Sequence, residues 1–269
     1  MCGRIVQACG RVVFAAATGA DRFVGRAPTP SWNIAPTQSM LVAADDTRAP
    51  GRVLATARWS LVPRWSRTDR LTWPTFNARA ESAAEKPTYR DAVRHARCVV
   101  PVDGYYEWQP AAADSAPHLI PAAPDPAAPG RRRRPSRTAR APWHVHRADG
   151  TPLLLAGLYS WWCPAPDTPW TLTATILTTQ ADASLAWLHP RQPLPIASDQ
   201  LDAWLAPDAD GPAELRRAVA ASPGLAPELA VHRVAPLHGD GPGLVVPVDG
   251  DGTVPGTDSG VTASPAART

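Results

Sequence analysis

The chain has 269 residues, 44% of them hydrophobic, with a net charge of only +3. That is enough apolar material for a core, and 32 Pro with 18 Gly argue against a helical bundle and for short strands joined by many loops. No stretch reaches 18 apolar residues, so nothing is expected to span a membrane, and the first residues lack the basic-then-apolar pattern of a secretory signal.

Four cysteines, Cys2, Cys9, Cys98 and Cys163, form no Cys-x-x-Cys pair. Their spacing suits neither a zinc site nor a disulfide framework, so the expectation is free thiols, no metal, no cofactor and a cytoplasmic location. Lys86 is the only lysine among 27 basic side chains. Imine chemistry would therefore need Lys86 or the N-terminal amine. Eleven Trp against three Phe is a weak hint of base stacking, since Trp also fills cores.

Residues 1–10 read as a short strand ending in a turn at Gly10, and residues 11–25 as Ala-rich and helical. Ser31 to Thr37 starts in loop and leads into a strand at Met40–Ala43. Arg52–Trp59 alternates like a half-buried strand. Cys98–Val102 reads as a buried strand, Asp103-Gly104 as a turn, and Tyr105–Trp108 as extended. From 110 to 142, Ala, Pro and the run Arg131–Arg134 predict a disordered insertion. Strands return at Trp143–Val145 and Leu153–Tyr159, and Thr171–Thr179 has the cleanest alternation. Asp182 is placed to cap a short helix carrying Leu185, Trp187 and Leu188. Further helices are expected through Leu205 and after Pro212, then a strand at Val231–Val234. The Gly, Pro, Ser and Asp beyond 239 predict a flexible tail, 239–269. The fold class is α+β: one domain, 2–238, with a curved antiparallel, barrel-like sheet and flanking short helices.

The residues with chemical potential are spread along this framework. Removal of Met1 would leave Cys2 with an amine and a thiol on adjacent carbons. That pair condenses with an aldehyde and closes a five-membered ring. The amine, at about 7.7–8.0, is partly neutral near pH 7.5, and a cation such as Arg4 would lower the thiol further. Glu107 lies between Tyr106 and Trp108, where apolar neighbours favour proton exchange. His189 precedes Pro190-Arg191 and has acid–base potential. Asn77 follows Phe76 in a polar break. Each also has an ordinary reading: an edge glutamate, a helix-end histidine, a turn asparagine. Arg4, Arg79 and Arg191 flank these stations and would form a phosphate-binding cleft if the stations meet.

Taken together, the motifs resemble the SOS-response-associated peptidase family, the abasic-site-processing proteins. The resemblance rests on Cys2-Gly3-Arg4, Trp32 to Thr37, Arg58 to Pro63, Asn77 to Glu81, Arg97 to Pro101 with Asp103 to Trp108, Ala156-Gly157-Leu158, Leu177-Thr178-Thr179, and His189-Pro190-Arg191 with Pro193. It implies single-stranded DNA containing abasic sites as partner, and a covalent thiazolidine link made by Cys2 to the ring-opened sugar. Asn77 would orient Cys2, Glu107 would assist ring opening, and His189 would be the acid–base partner. Arg4, Arg79 and Arg191 would hold phosphates, with Pro36, Trp65 and Trp108 packing bases. The chain is taken as a monomer. Ser60 stands where the family usually has Gly, and Gln192 where Met is usual. Two other readings stay open: a thiol peptidase or amidohydrolase with an N-terminal nucleophile, and a noncatalytic nucleic-acid binder.

Overall fold

The computed structural model describes residues 2–109 and 141–249. In chain order the first half contributes β1 (Arg4–Gln7), α1 (Arg11–Thr18), β2 (Arg22–Val24), β3 (Ser31–Ile34), β4 (Ser39–Asp45), β5 (Arg52–Trp59), β6 (Asn77–Arg79), α2 (Ala80–Ala83), α3 (Arg90–His95), β7 (Arg97–Val102) and β8 (Gly104–Trp108). The second half contributes β9 (Pro142–Arg147), β10 (Leu153–Trp162), β11 (Thr171–Gln180), β12 (Arg191–Pro193), α4 (Leu201–Leu205), α5 (Gly211–Ala221) and β13 (Leu229–Arg233).

Two sheets result. One has the order β13-β9-β8-β1-β3, and the other β12-β11-β10-β7-β4-β5-β2. In the larger sheet β11 also pairs with β5, so β5, β4, β7, β10 and β11 close on themselves as a barrel. The α+β, barrel-like expectation therefore holds, with one refinement: the closing β11–β5 pair is parallel, as are β6–β11 and β2–β5.

Alternation sets the two faces of the larger sheet. Leu41, Ala43, Val99, Leu154, Ala156 and Leu158 pack with the helices. Met40, Val42, Cys98, Val100 and Leu155 join Ile5, Tyr105 and Val145 from the smaller sheet. β11 shows no in–out pattern and is buried from Thr173 through Thr179. The reason is its central place, flanked by β10 on one side and by β5, β6 and β12 on the other.

Two buried polar side chains lock the assembly. Gln7 donates to the carbonyls of Leu41 and Pro101 and accepts from Leu41 N, tying β1 to the barrel. Arg97 donates to the carbonyls of Trp204, Val93, Arg94 and Ala206, closing the ends of α3 and α4.

Several local expectations are corrected. The helix expected over 11–25 ends at Thr18, because Gly19 adopts a left-handed φ of 68° and stops it. Ser31–Ile34 is strand, paired with β1. Residues 183–188 form consecutive turns, not a helix; Asp182 Oδ1 accepts from Ser184 N and bends the chain locally. The stretch 239–249, expected to be tail, is tied down. Trp32 N donates to Asp240 Oδ1, Asn33 Nδ2 donates to Gly239 O, and Val248 N donates to Arg233 O. A 3-10 turn at Pro242–Val245 buries Leu244, which offsets the cost of ordering. The expected insertion falls outside the described residues except at 141–142, and so does the tail from 250.

Candidate active site

β1 and β8 pair antiparallel with Arg4 opposite Tyr106 and Ile5 opposite Tyr105. One further step of this register sets Gly3 against Glu107. Cys2 is fully buried in an apolar cluster with Ile5, Trp59, Tyr105, Ile176 and Leu188. Its thiol points at Arg4 O, 3.6 Å away.

Asn77 reaches the same place from the barrel. β6 lies parallel to β11, with Asn77 opposite Ile176. Phe76 O accepts from both Ile176 N and Trp59 Nε1, which fixes the backbone just before it. Asn77 Nδ2 then donates to Cys2 O at 2.6 Å. Asn77 Oδ1 is buried with no hydrogen-bond partner among the described residues.

Glu107 is only 4% exposed, and its Oε1 accepts from Trp108 N at 3.4 Å. Burial pushes the Cys2 thiol far above the ordinary range, and the Glu107 charge pushes it further. The expectation that Arg4 lowers this thiol is corrected: its guanidinium turns away and donates to Asn33 Oδ1 at 2.9 Å. Tyr105 is raised by burial too, and by Cys2 and Glu107. The phenol therefore belongs to this cluster, although sequence reasoning passed over it. The available signal was its i, i+2 spacing from Glu107, which places both on one face of a strand.

His189 ends the run of turns. Its Nδ1 lies 3.0 Å from Arg191 N and 2.9 Å from Arg191 O. The preceding residues bring the loop to the cluster. Leu188 packs in the group that holds Cys2. Trp187 stands edge-on to Trp143 at 4.9 Å, and Trp143 is the β9 partner of Glu107. Gln192, buried, anchors the loop by accepting from Asp182 N.

The three arginines differ. Arg79 sits opposite Thr178 and is exposed. Arg191 makes a two-pronged pair with Glu81, at 2.8 and 2.9 Å, and also donates to Thr178 O. Much of its charge is therefore already answered within the chain. Trp108 and Pro36 are half-buried, and Trp108 packs against Val6 and Tyr106. Trp65 is 56% exposed, on a separate cavity of about 870 Å³ lined also by Tyr159, Trp161 and Leu172. That cavity lies near the start of β11, whereas Asn77 and Arg79 pair toward its end. Among the described residues no contact joins Trp65 to the other candidates; its indole Nε1 donates to Pro87 O instead.

Ser60 has φ 134°, a region glycine prefers. The turn thus keeps the backbone that glycine would adopt, pinned by Ser60 N donating to Ala174 O at the barrel seam.

The Asn77 amide, the Glu107 carboxylate and the Tyr105 phenol thus gather about the buried Cys2, and the loop that ends in His189 joins the same group through Leu188. The sequence model of the family described as "SOS response associated peptidase (SRAP)" matches residues 1–129 and 131–239. The chain is 30% identical over 183 residues to abasic site processing protein YoaM of Bacillus subtilis, covering 68% of this chain and 69% of that one. It is 27% identical over 226 residues to abasic site processing protein HMCES of Gallus gallus, covering 76% and 65%. A crystal structure of a Bacteroides thetaiotaomicron protein shares the fold, with TM-score 0.71 at 18% identity, over 92% of this chain and all of that one. With the barrel, the Cys2–Asn77 contact and the family match agreeing, this chain belongs to the SRAP family.

Proposed function

We propose that the protein processes abasic sites in single-stranded DNA by forming a covalent link through Cys2. Similarity to proteins named for abasic site processing supports the lesion as substrate. The observation that carries the reading is the 2.6 Å hydrogen bond from Asn77 Nδ2 to Cys2 O. A cysteine that acts through sulfur alone needs only its thiol placed. Here the backbone of residue 2 is held, as chemistry at its amine requires. With Met1 removed, Asn77 Oδ1, buried and without a partner, is the acceptor for that amine.

The amine attacks the aldehyde of the ring-opened sugar, and loss of water gives an imine. The thiol then adds to the same carbon and closes the thiazolidine, its proton ending on the former imine nitrogen. A neutral, buried thiol needs a base for this, and Glu107 is the carboxylate whose charge it feels. Glu107 in its acid form also donates to the ring oxygen as the sugar opens. His189 exchanges protons at the leaving water and in reversal. Arg4, Arg79 and Arg191 hold phosphates, and Trp108 and Pro36 pack flanking bases; Trp65 would meet DNA only farther along the strand. On this reading the protein acts as a monomer in the cytoplasm, on the nucleoid when bound to DNA.

The test mixes purified protein with a single-stranded oligonucleotide carrying one abasic site. A heat-stable shifted band is expected with wild type, none with Cys2→Ala, and a slower one, by about a hundredfold, with Asn77→Ala. The intact mass should lack Met1. An undiminished band with Cys2→Ala would sink the proposal.

A further inference from the structure

The smaller sheet carries a second polar cluster on its other face. β9 lies between β8 and β13, with His144 opposite both Tyr106 and His232. His146, two residues on, shares that face. One nitrogen from each of the three rings lies within 4.8 Å of the others. His144 is 5% exposed, and neither of its ring nitrogens has a hydrogen-bond partner among the described residues. A buried imidazole with both nitrogens unanswered calls for an explanation.

The two outer histidines supply one. His232 Nε2 is 2.9 Å from Val245 O, and His146 Nδ1 is 2.8 Å from Arg147 O. A carbonyl oxygen can only accept, so each of these nitrogens carries the ring's proton. The remaining nitrogens, His146 Nε2 and His232 Nδ1, face each other at 3.3 Å with lone pairs on both. Two acceptors in this position repel unless a proton or a metal ion lies between them. Two nitrogen ligands at ~2.0–2.1 Å from a tetrahedral ion stand about 3.3 Å apart. The observed gap is that edge. Anchoring the far nitrogen on a backbone carbonyl is also how metal-binding histidines are oriented.

We propose that His144, His146 and His232 bind one divalent transition-metal ion, zinc being the first candidate, with the fourth position open to water. His144 supplies the third nitrogen by a small ring rotation. Gly104 leaves the room: a Cβ there would lie 2.2 Å from His144 Nε2. His144 is buried with both ring nitrogens unanswered among the described residues, so either one is free to turn toward an ion. Three imidazoles without a carboxylate suit zinc, copper or nickel rather than magnesium or calcium. The site also has mechanical reach. His232 holds Val245, the neighbouring 239–240 segment holds Trp32 and Asn33, and Asn33 receives Arg4. An ion at this point therefore stiffens the layer that positions Arg4.

The test uses full-length protein stripped with EDTA and dialysed. Zinc titration by calorimetry should give one site per chain. Cobalt should give the intense visible bands of a tetrahedral site without a thiolate charge-transfer band. The His146→Ala/His232→Ala double variant, its fold checked by circular dichroism, should bind zinc about a hundredfold more weakly or worse. No saturable site in wild type, unchanged affinity in the double variant, or a thiolate band that disappears on replacing Cys9 and Cys163 would each overturn the proposal. The wild-type cobalt spectrum decides the matter even if the double variant fails to fold.

Discussion

The two faces of the five-stranded sheet carry polar groups assembled in opposite ways. On β8, Tyr105 and Glu107 turn toward Cys2 and the barrel, whereas Gly104 and Tyr106 turn toward the histidines. The first cluster draws on segments near 2, 77 and 107, with Leu188 from the loop before His189, remote in sequence and joined only when the barrel closes. The second draws on adjacent strands in register, and two of its members are two residues apart on one strand. The first is sealed in apolar surroundings that push its thiol pKa upward. The second has its lone pairs turned inward and its protons tied to the backbone. A reactive site gains from burial because proton positions are then controlled; a ligand site gains from orientation.

The comparison can be broken most severely at Glu107. Glu107→Gln should slow crosslinking by about a hundredfold to ten-thousandfold if the carboxylate moves protons. Its charge raises the Cys2 thiol pKa, so the variant thiol should become more acidic. That shift is readable from the pH dependence of alkylation of the Cys2 peptide by mass spectrometry. A slower reaction with a more reactive thiol separates proton transfer from simple nucleophilicity; an unchanged rate would remove Glu107 from the chemistry.

On the other face, Gly104→Ala should destabilise by about 1–3 kcal/mol through overpacking against His144. Adding His144→Ala should recover only part of that loss in thermal melts, because the Val145 carbonyl oxygen would still lie 2.7 Å from the new Cβ. If the single variant is as stable as wild type, the close approach is not a constraint.

Glu81 gives a smaller effect that links the reactive face to DNA. Burial works to raise its pKa, but the hydrogen bond and charge of Arg191 outweigh it, and the net is a value below the ordinary one. The pair's stabilisation is therefore present above the ordinary glutamate value and disappears as pH falls through the lowered one. With Glu81 about half exposed, Glu81→Gln should cost less than about 1 kcal/mol. It should also steepen the salt dependence of single-strand binding by about 0.7 if Arg191 then meets a phosphate. An unchanged slope would leave Arg191 a structural residue.

Ser60→Gly lies outside both clusters and calibrates the others. Relief of the positive φ should raise stability by about 1 kcal/mol in chemical denaturation. A loss would mean that the serine side chain offsets its own strain.

Much of the strand framework was legible because its residues alternate. Arg52–Trp59 shows the period of two and Leu153–Tyr159 reads as a continuous apolar run, and both are strands. Where burial covers both faces, as in β11, pattern alone does not tell how deep the strand lies. The turns after Asp182 misled because Leu185 and Leu188 have helical spacing, yet they are buried as the anchors of a loop. The segment 239–249 misled because its composition is that of a tail, while its stability comes from backbone partners supplied by β3 and β13.

The sequence by itself determined which groups exist: a cysteine directly after the initial methionine, a carboxylate in an aromatic strand, a single lysine, and motifs specific enough to mark the family. The tertiary structure alone decided which of them meet. Strand register placed Asn77 on the Cys2 carbonyl, barrel closure took Trp65 away from the others, and Glu81 claimed Arg191. It also aligned three histidines that no cysteine-based spacing rule would have found. The reason is that charge, pKa and hydrogen bonding depend on distance and burial, and those are fixed by pairings between residues a hundred or more positions apart.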